Sequence, residues 1–198
     1  MKKNVKEFNI VIVGTGGQGL ITLLEIISEA ALSEGFDVKT SELHGLSQRG
    51  GSVEVHITFG KKVLSPLVSQ GEANLIIALE IQEASKACYY SSKKAQTFFL
   101  VNNFSVPISG TTPKTSNQVL KELGRFSQKA ILVSASDICQ KELETNVVAG
   151  VYLLSLAVVK KLLPLKPNSI LKTIKKKIPE KYFELNKKAF DLAKNYEK

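Results

Sequence analysis

A chain of 198 residues with 43% hydrophobic residues is long enough to bury a full-sized core and too apolar for a disordered or collagen-like class. Its 27 basic and 18 acidic residues give a formal charge of +9, yet every basic side chain except Arg49 and Arg125 is a lysine. With so few arginines and no aromatic-rich strands on which bases could stack, nucleic acid is not an expected partner.

Lys2, Lys3 and Lys6 precede the apolar run Ile10-Val11-Ile12-Val13. That run is too short for a signal peptide and ends in glycines, not in a cleavage site, so a cytoplasmic location is expected. A first strand over Asn9–Val13 leads through Gly14-Thr15-Gly16-Gly17-Gln18-Gly19 into an amphipathic helix from about Gln18 to Ser33, stopped by Gly35. Asp37–Ser41 reads as the second strand. After the glycine-rich segment Glu42–Gly51, residues Val53, Val55, Ile57 and Phe59 alternate with Glu54, His56 and Thr58, the period of a half-buried strand. A turn at Gly60-Lys61-Lys62 then predicts an antiparallel hairpin partner at Val63–Leu64. Leu75–Ala78 and Thr97–Val101 are dense apolar runs of the kind covered on both faces, with a helix from about Gln82 to Ser91 between them. A helix near Ser116–Leu123 and a strand at Ala130–Val133 follow.

From Asn146 onward the pattern is helical. A long apolar helix runs to about Leu163, a short one follows the cap candidates Asn168 and Ser169, and the last extends from Glu180 towards Asn195. The apolar run Val147–Val159, broken by Ser155 and stopped by Lys160-Lys161, falls short of the ~20 residues that cross a bilayer, so no membrane association is expected. Lysines from Lys160 to Lys198 alternate with Leu162, Ile170, Leu171, Ile174 and Ile178, the pattern of amphipathic helices with solvated faces. The two cysteines, Cys88 and Cys139, lie far apart and outside any C-x-x-C pair. By themselves they do not supply four thiolates to an iron–sulfur cluster or a zinc ribbon, and both read as small buried apolar residues.

The architecture expected is α/β: an open, mostly parallel, Rossmann-like sheet with an inserted antiparallel hairpin and a helical C-terminal end. Ligands of such sheets sit at the carboxyl ends of the strands, where Gly14–Gly19, Glu42–Gly51, Glu80 and Asn102-Asn103 all fall. Gly14, Gly16, Gly17, Gln18 and Gly19 form a turn poor in side chains, open to an anion at the helix N-terminus, or else a turn that only lets the helix pack tightly. A dinucleotide site would add an acid about twenty residues on. Asp37 is near that distance but begins its strand, while Glu42 ends the strand but comes late.

The G-x-G-G-Q-G turn at Gly14–Gly19 and the block His44-Gly45-Leu46-Ser47-Gln48-Arg49-Gly50-Gly51 resemble the gamma subunit, or gamma domain, of the 2-oxoacid:ferredoxin oxidoreductases. Ser65-Pro66, the strand Asn74–Ala78 leading to Glu80 and Glu83-Ala84, Asn102 ahead of Pro107, Asn146 with Gly150, and Asn186 with Ala189-Phe190 fit the same pattern. Within that group the chain looks most like the small subunit of indolepyruvate ferredoxin oxidoreductases. Asn74 departs from it, standing where aspartate is more usual. The resemblance implies one gamma-type domain over residues 1–198. It further implies a complex that decarboxylates an aryl 2-oxoacid on thiamine diphosphate, passes electrons through iron–sulfur clusters to ferredoxin and releases an acyl-CoA. Thiamine diphosphate, magnesium and the clusters are then expected in a larger partner subunit, with coenzyme A as a candidate co-substrate.

No catalytic residue and no metal ligand is assigned to this chain. Gly14, Gly16, Gly17, Gln18 and Gly19 are the candidate anion cradle. His44, Gln48, Arg49, Gly50, Gly51 and Glu80 are the candidate contacts to substrate or partner. Arg49 is either a bidentate clamp on a carboxylate or phosphate, or a strut pairing with Glu42, Glu80 or backbone carbonyls. Glu80 reads as a loop anchor before an acid–base group, and His56 as a solvated surface residue. Two further readings stay open: a stand-alone nucleotide-binding oxidoreductase, and an adaptor that binds no ligand.

Overall fold

The computed structural model describes residues 5–45, 51–106, 112–127 and 129–196. Its six-stranded sheet has the order β2-β3-β1-β4-β5-β6, formed by β1 (Glu7–Thr15), β2 (Asp37–His44), β3 (Ser52–Gly60), β4 (Leu75–Ala78), β5 (Phe98–Asn102) and β6 (Lys129–Val133). β1, β4, β5 and β6 are parallel, and β3 runs antiparallel to both β1 and β2. Ile10 to Val13 of β1 and all of β4 are buried, which is why these segments read as continuous apolar runs.

The antiparallel element lies elsewhere than the sequence suggests. Val63–Leu64 forms no strand, because β1 and β2 already occupy both edges of β3. The Val63 N–H is instead bonded to Oδ2 of Asp37 at 2.8 Å. The hairpin is therefore β2–β3, joined by the glycine-rich segment. β3 is also not half-buried. His56 and Thr58, on its polar phase, are 1% and 2% exposed, because the segment after β3 folds back over that face and Tyr90 packs edge-on against the His56 ring.

α1 (Leu20–Ser33), α5 (Ala149–Val159), α6 (Pro167–Lys177) and α7 (Glu180–Leu192) cover one face of the sheet and share its larger apolar core. α5 is buried on almost every side, the behaviour of a helix apolar all round. Ser155, which interrupts its sequence, donates to the carbonyl of Phe190 at 2.6 Å and ties it to α7. A Cβ on Gly150 would meet Leu23 Cδ1 at 3.2 Å, so glycine there lets α5 approach α1. α6 starts earlier than Asn168 or Ser169 would cap it, with Pro167 in its first turn after Lys166, a position where the missing N–H costs nothing. α2 (Ile81–Lys86), a 3₁₀ turn over Ala87–Tyr90, and α3 (Ser116–Phe126) cover the opposite face around a smaller core. The helix expected over Gln82–Ser91 thus ends early as α-helix. α3 begins with a full capping box between Thr115 and Gln118. α4 (Ala135–Leu143) closes the carboxyl end beside β5 and carries the buried Cys139.

Candidate functional site

The carboxyl ends of β1, β4 and β5 meet at one polar network. Gln18 folds back over Gly14, where a Cβ would meet its Oε1 at 2.6 Å. That oxygen accepts the Thr15 N–H at 2.9 Å, and Nε2 donates to Glu80 Oε2 at 3.4 Å. Glu80, 1% exposed, also accepts the Thr15 hydroxyl at 3.1 Å and the Val106 N–H at 3.0 Å. One carboxylate thus joins the glycine turn, the β4–α2 junction and the segment after β5, the anchoring role expected of it. Asn102 extends the network. Its amide donates to the Leu79 carbonyl at 3.1 Å and Ser136 Oγ at 2.8 Å, and its oxygen accepts the Ser136 N–H at 3.2 Å.

The turn is open where an anion would approach. Gly17 and Gly19 have φ of +98° and +80°, and a Cβ on either would meet nothing within 4 Å. Their glycines are required by backbone conformation and not by tight packing. Gly19 caps α1 with no side-chain hydrogen bond, and the first turn of α1 carries no acid. Gly16 to Gly19 and Thr22, at the positive end of α1, line a cavity of about 830 Å³. That size is within the range of small-ligand pockets.

Across the cavity from the turn stand Asn146 and Val147 just ahead of α5, Gly150 in its first turn, Lys177 at the end of α6, Ile178 and Pro179 between α6 and α7, and Tyr182 and Asn186 of α7. The late pattern Asn146, Gly150 and Asn186 is therefore brought to the glycine turn from more than a hundred residues away. Sequence reasoning noted those residues but gave them no place in the site, and missed Lys177 and Tyr182 altogether. Lys177 is the one signal that could have been used, since it is a basic residue at a helix end. Asn186 is itself engaged, donating to the Tyr182 carbonyl at 2.9 Å. A second cavity of about 640 Å³ opens at the amino end of the sheet among Gln96, Lys129 and Lys161, with no glycine turn and none of this network.

The second glycine block is physically joined to the first. The Gly16 N–H donates to the Gly51 carbonyl at 2.9 Å, and the Gly45 N–H donates to the Ser52 carbonyl at 3.1 Å. Gln48, Arg49 and Gly50 lie outside the described residues. His44 does not join the cavity. It is exposed, pairs with Glu42 Oε2 at 3.3 Å, and shares Val53 as ladder partner with Gly14, which puts it two strand spacings, about 10 Å, from β1. Neither acid of the dinucleotide reading is in place. Asp37 lies at the far end of the sheet, level with Gly60 and Glu7, and β3 separates Glu42 from β1.

His56 corrects the sequence reading. It is buried, its Nδ1 accepts the Val68 N–H at 3.0 Å, and Nε2 pairs with Glu54 Oε1 at 2.8 Å. With Nδ1 accepting, Nε2 carries the proton and the ring is neutral. The Tyr90 hydroxyl donates to the same Glu54 oxygen at 2.6 Å. Burial and this bond push the Tyr90 hydroxyl well above the ordinary phenol range. Burial opposes the Glu54 charge, but hydrogen bonds from His56 and Tyr90 outweigh it and hold the carboxyl below its usual range.

Cys139 packs in the larger core and Cys88 beside the smaller one, on opposite faces of the sheet. Burial pushes both thiols up to about 11, aided at Cys88 by the Glu122 charge. Such separated, protonated thiols do not fit an iron–sulfur cluster. Among the described residues no three His, Cys, Asp or Glu side chains form a group that could hold a metal ion, and no helix is long and apolar enough to cross a membrane.

The fold is that of a Rossmann-like α/β domain, with an open glycine turn facing a cavity at the strand ends. The chain belongs to the pyruvate ferredoxin/flavodoxin oxidoreductase family, whose model matches residues 9–196. It is 40% identical over 148 residues to the indolepyruvate oxidoreductase subunit IorB of Archaeoglobus fulgidus, covering 71% of this chain and 72% of that one. Pyruvate oxidoreductase subunit PORC from Thermotoga maritima has the same fold, with a TM-score of 0.71, 23% identity and 96% of each chain covered. So does part of the 2-oxoglutarate:ferredoxin oxidoreductase from Magnetococcus marinus, solved with 2-oxoglutarate, coenzyme A and succinyl-CoA bound. There the TM-score is 0.68 at 18% identity, over 96% of this chain and 31% of that one. Asn74 Oδ1 accepts the Asn9 N–H at 2.8 Å.

Proposed function

We propose that this chain is the small subunit of an indolepyruvate-type, aryl 2-oxoacid:ferredoxin oxidoreductase, and that its glycine turn receives the anionic end of coenzyme A. The observation that carries this reading is the uncapped start of α1 behind Gly17 and Gly19, opening into a cavity large enough for part of a cofactor-sized ligand. The identity to an indolepyruvate oxidoreductase subunit supports the substrate class. Coenzyme A in the Magnetococcus enzyme supports the co-substrate.

Thiamine diphosphate, magnesium and the iron–sulfur clusters belong to a larger partner subunit, which reduces ferredoxin. The isolated chain is colourless and inactive, because one buried and one half-buried thiol on opposite faces supply no cluster. Gly14, Gly16 and Gln18 shape the turn, and Gly51 fixes one end of the second glycine block. Arg49, with Gln48 and Gly50, supplies the fork-shaped donor that an anion or a partner carboxylate would take.

Hydrogen exchange on the complex reconstituted with the larger subunit tests the reading. Adding coenzyme A should slow exchange at residues 16–22 and 146–151. Unaltered exchange at both segments would show that the ligand binds elsewhere.

A further inference from the structure

We infer that Glu80 and Glu83 are a pair of positioning residues that clamp the last rung of the β1–β3 ladder and thereby set the affinity of the site at the glycine turn. The inference rests on the reading that this turn receives the anionic end of coenzyme A.

Thr15 and Ser52 face each other at the final rung of that ladder. Beyond it the two chains part, one into the turn at residues 16–19 and the other into the second glycine block, with the Gly16–Gly51 hydrogen bond between them. Each member of the rung is gripped by one carboxylate from the start of α2. Glu80 takes the Thr15 hydroxyl, and Glu83 takes the Ser52 hydroxyl. Glu83, 6% exposed, also pairs with Lys86 Nζ at 2.6 Å, and the same ammonium reaches Ser52 Oγ at 3.2 Å.

Neither carboxylate is used as helix ends ordinarily use acids. Glu80 stands at the cap position with no side-chain cap bond, and the oxygens of Glu83 go to β3 and to Lys86. Two nearly buried carboxylates carry a desolvation cost that apolar side chains would avoid. What the acids add is geometry. Their donors include Thr15 at the end of β1 and Ser52 at the start of β3, so a small shift of α2 moves both sides of the rung together. A placement error of an ångström at a binding site is costly.

The test is the reconstituted complex carrying Glu80→Gln, Glu83→Gln or Ser52→Ala. Each glutamate variant should raise KM for coenzyme A about tenfold while kcat falls less than threefold. Ser52→Ala, which removes one hydroxyl from an exposed residue, should raise KM about threefold. The double variant should raise KM by less than the product of the single effects, because both prongs act on one rung. In the free subunit, the Gly16 amide should exchange faster in all three.

A lowered melting temperature with unchanged KM and unchanged Gly16 exchange would make the pair structural and overturn the inference. Gly19→Val separates the two levels. If it raises KM and the glutamate variants do not, the positioning role falls alone. If it has no effect on KM, the coenzyme A reading falls, and Gly16 exchange then decides the clamp.

Discussion

Two buried polar clusters lie on the central strands, and they differ in what they hold. At the carboxyl end, Glu80 collects donors from the glycine turn and from the segment after β5, beside an open cavity. On the face covered by α2, Glu54, His56 and Tyr90 bond to one another and to the Val68 N–H, and none of them lines either large cavity. Both contain an unusually buried titratable group for their strands, so burial of an acid or a histidine does not by itself mark a site. What distinguishes them is whether they border open space. The cluster around Glu80 does, where Gly17, Gly19 and the first turn of α1 line the cavity. Around His56 each ring nitrogen is satisfied within the protein, and the cluster serves as a strut for the segment that follows β3.

The contrast breaks if the strut proves to be functional. His56→Leu takes the acceptor from the Val68 N–H, one donor from the Glu54 carboxylate and the edge-on ring contact from Tyr90, and should cost the free subunit about 3 kcal/mol, or roughly 6–12 °C in Tm. The assembled complex should keep its KM for coenzyme A. A tenfold change in KM without loss of stability would put His56 in the site.

A smaller effect comes with pH. Folding lowers the Glu54 pKa, so its stabilisation is complete above the ordinary value of 4.5 and is lost as pH falls through the folded value. Melting curves should show wild type more stable than Glu54→Gln at pH 6, with the gap closing below about pH 4.5. A gap that widens in acid would mean that the carboxyl is protonated in the strut.

The smallest effect is kinetic. With the Cys88 thiol pushed up to about 11, alkylation at pH 7.5 should be slow in wild type. Cys88 lies in the 3₁₀ turn that carries Tyr90, so His56→Leu should speed its alkylation while Cys139, in the other core, stays protected. Equal acceleration at both thiols would indicate global unfolding instead of a local strut.

Much of this was legible in the sequence for a physical reason. Ile10–Val13 and Leu75–Ala78 are covered on both faces, so their composition alone marks central strands, and Gly35 at φ +84° is the stop its position suggests. Glu80 was legible as an anchor because it ends a buried strand. His56 was not, because alternation along β3 reports which residues are polar and cannot report that a later segment folds over them. The hairpin was misplaced for a related reason. Local turn chemistry at Gly60 favours a following strand, while the competition of β1 and β2 for the edges of β3 is set by long-range pairing. The far wall of the cavity, with Lys177, Tyr182 and Asn186, depends on how α6 packs on α1 and α7 on α5 and α6, which no local pattern encodes.

The most direct test of the central claim is calorimetric titration of coenzyme A into the reconstituted complex with and without Gly19→Val. A Cβ at this position meets no atom within 4 Å, and the substitution acts by forcing a β-branched residue to φ +80°, so it disturbs the turn itself. The dissociation constant should weaken at least tenfold while the subunit remains assembled. An unchanged constant in an assembled complex would contradict a coenzyme A site at the glycine turn.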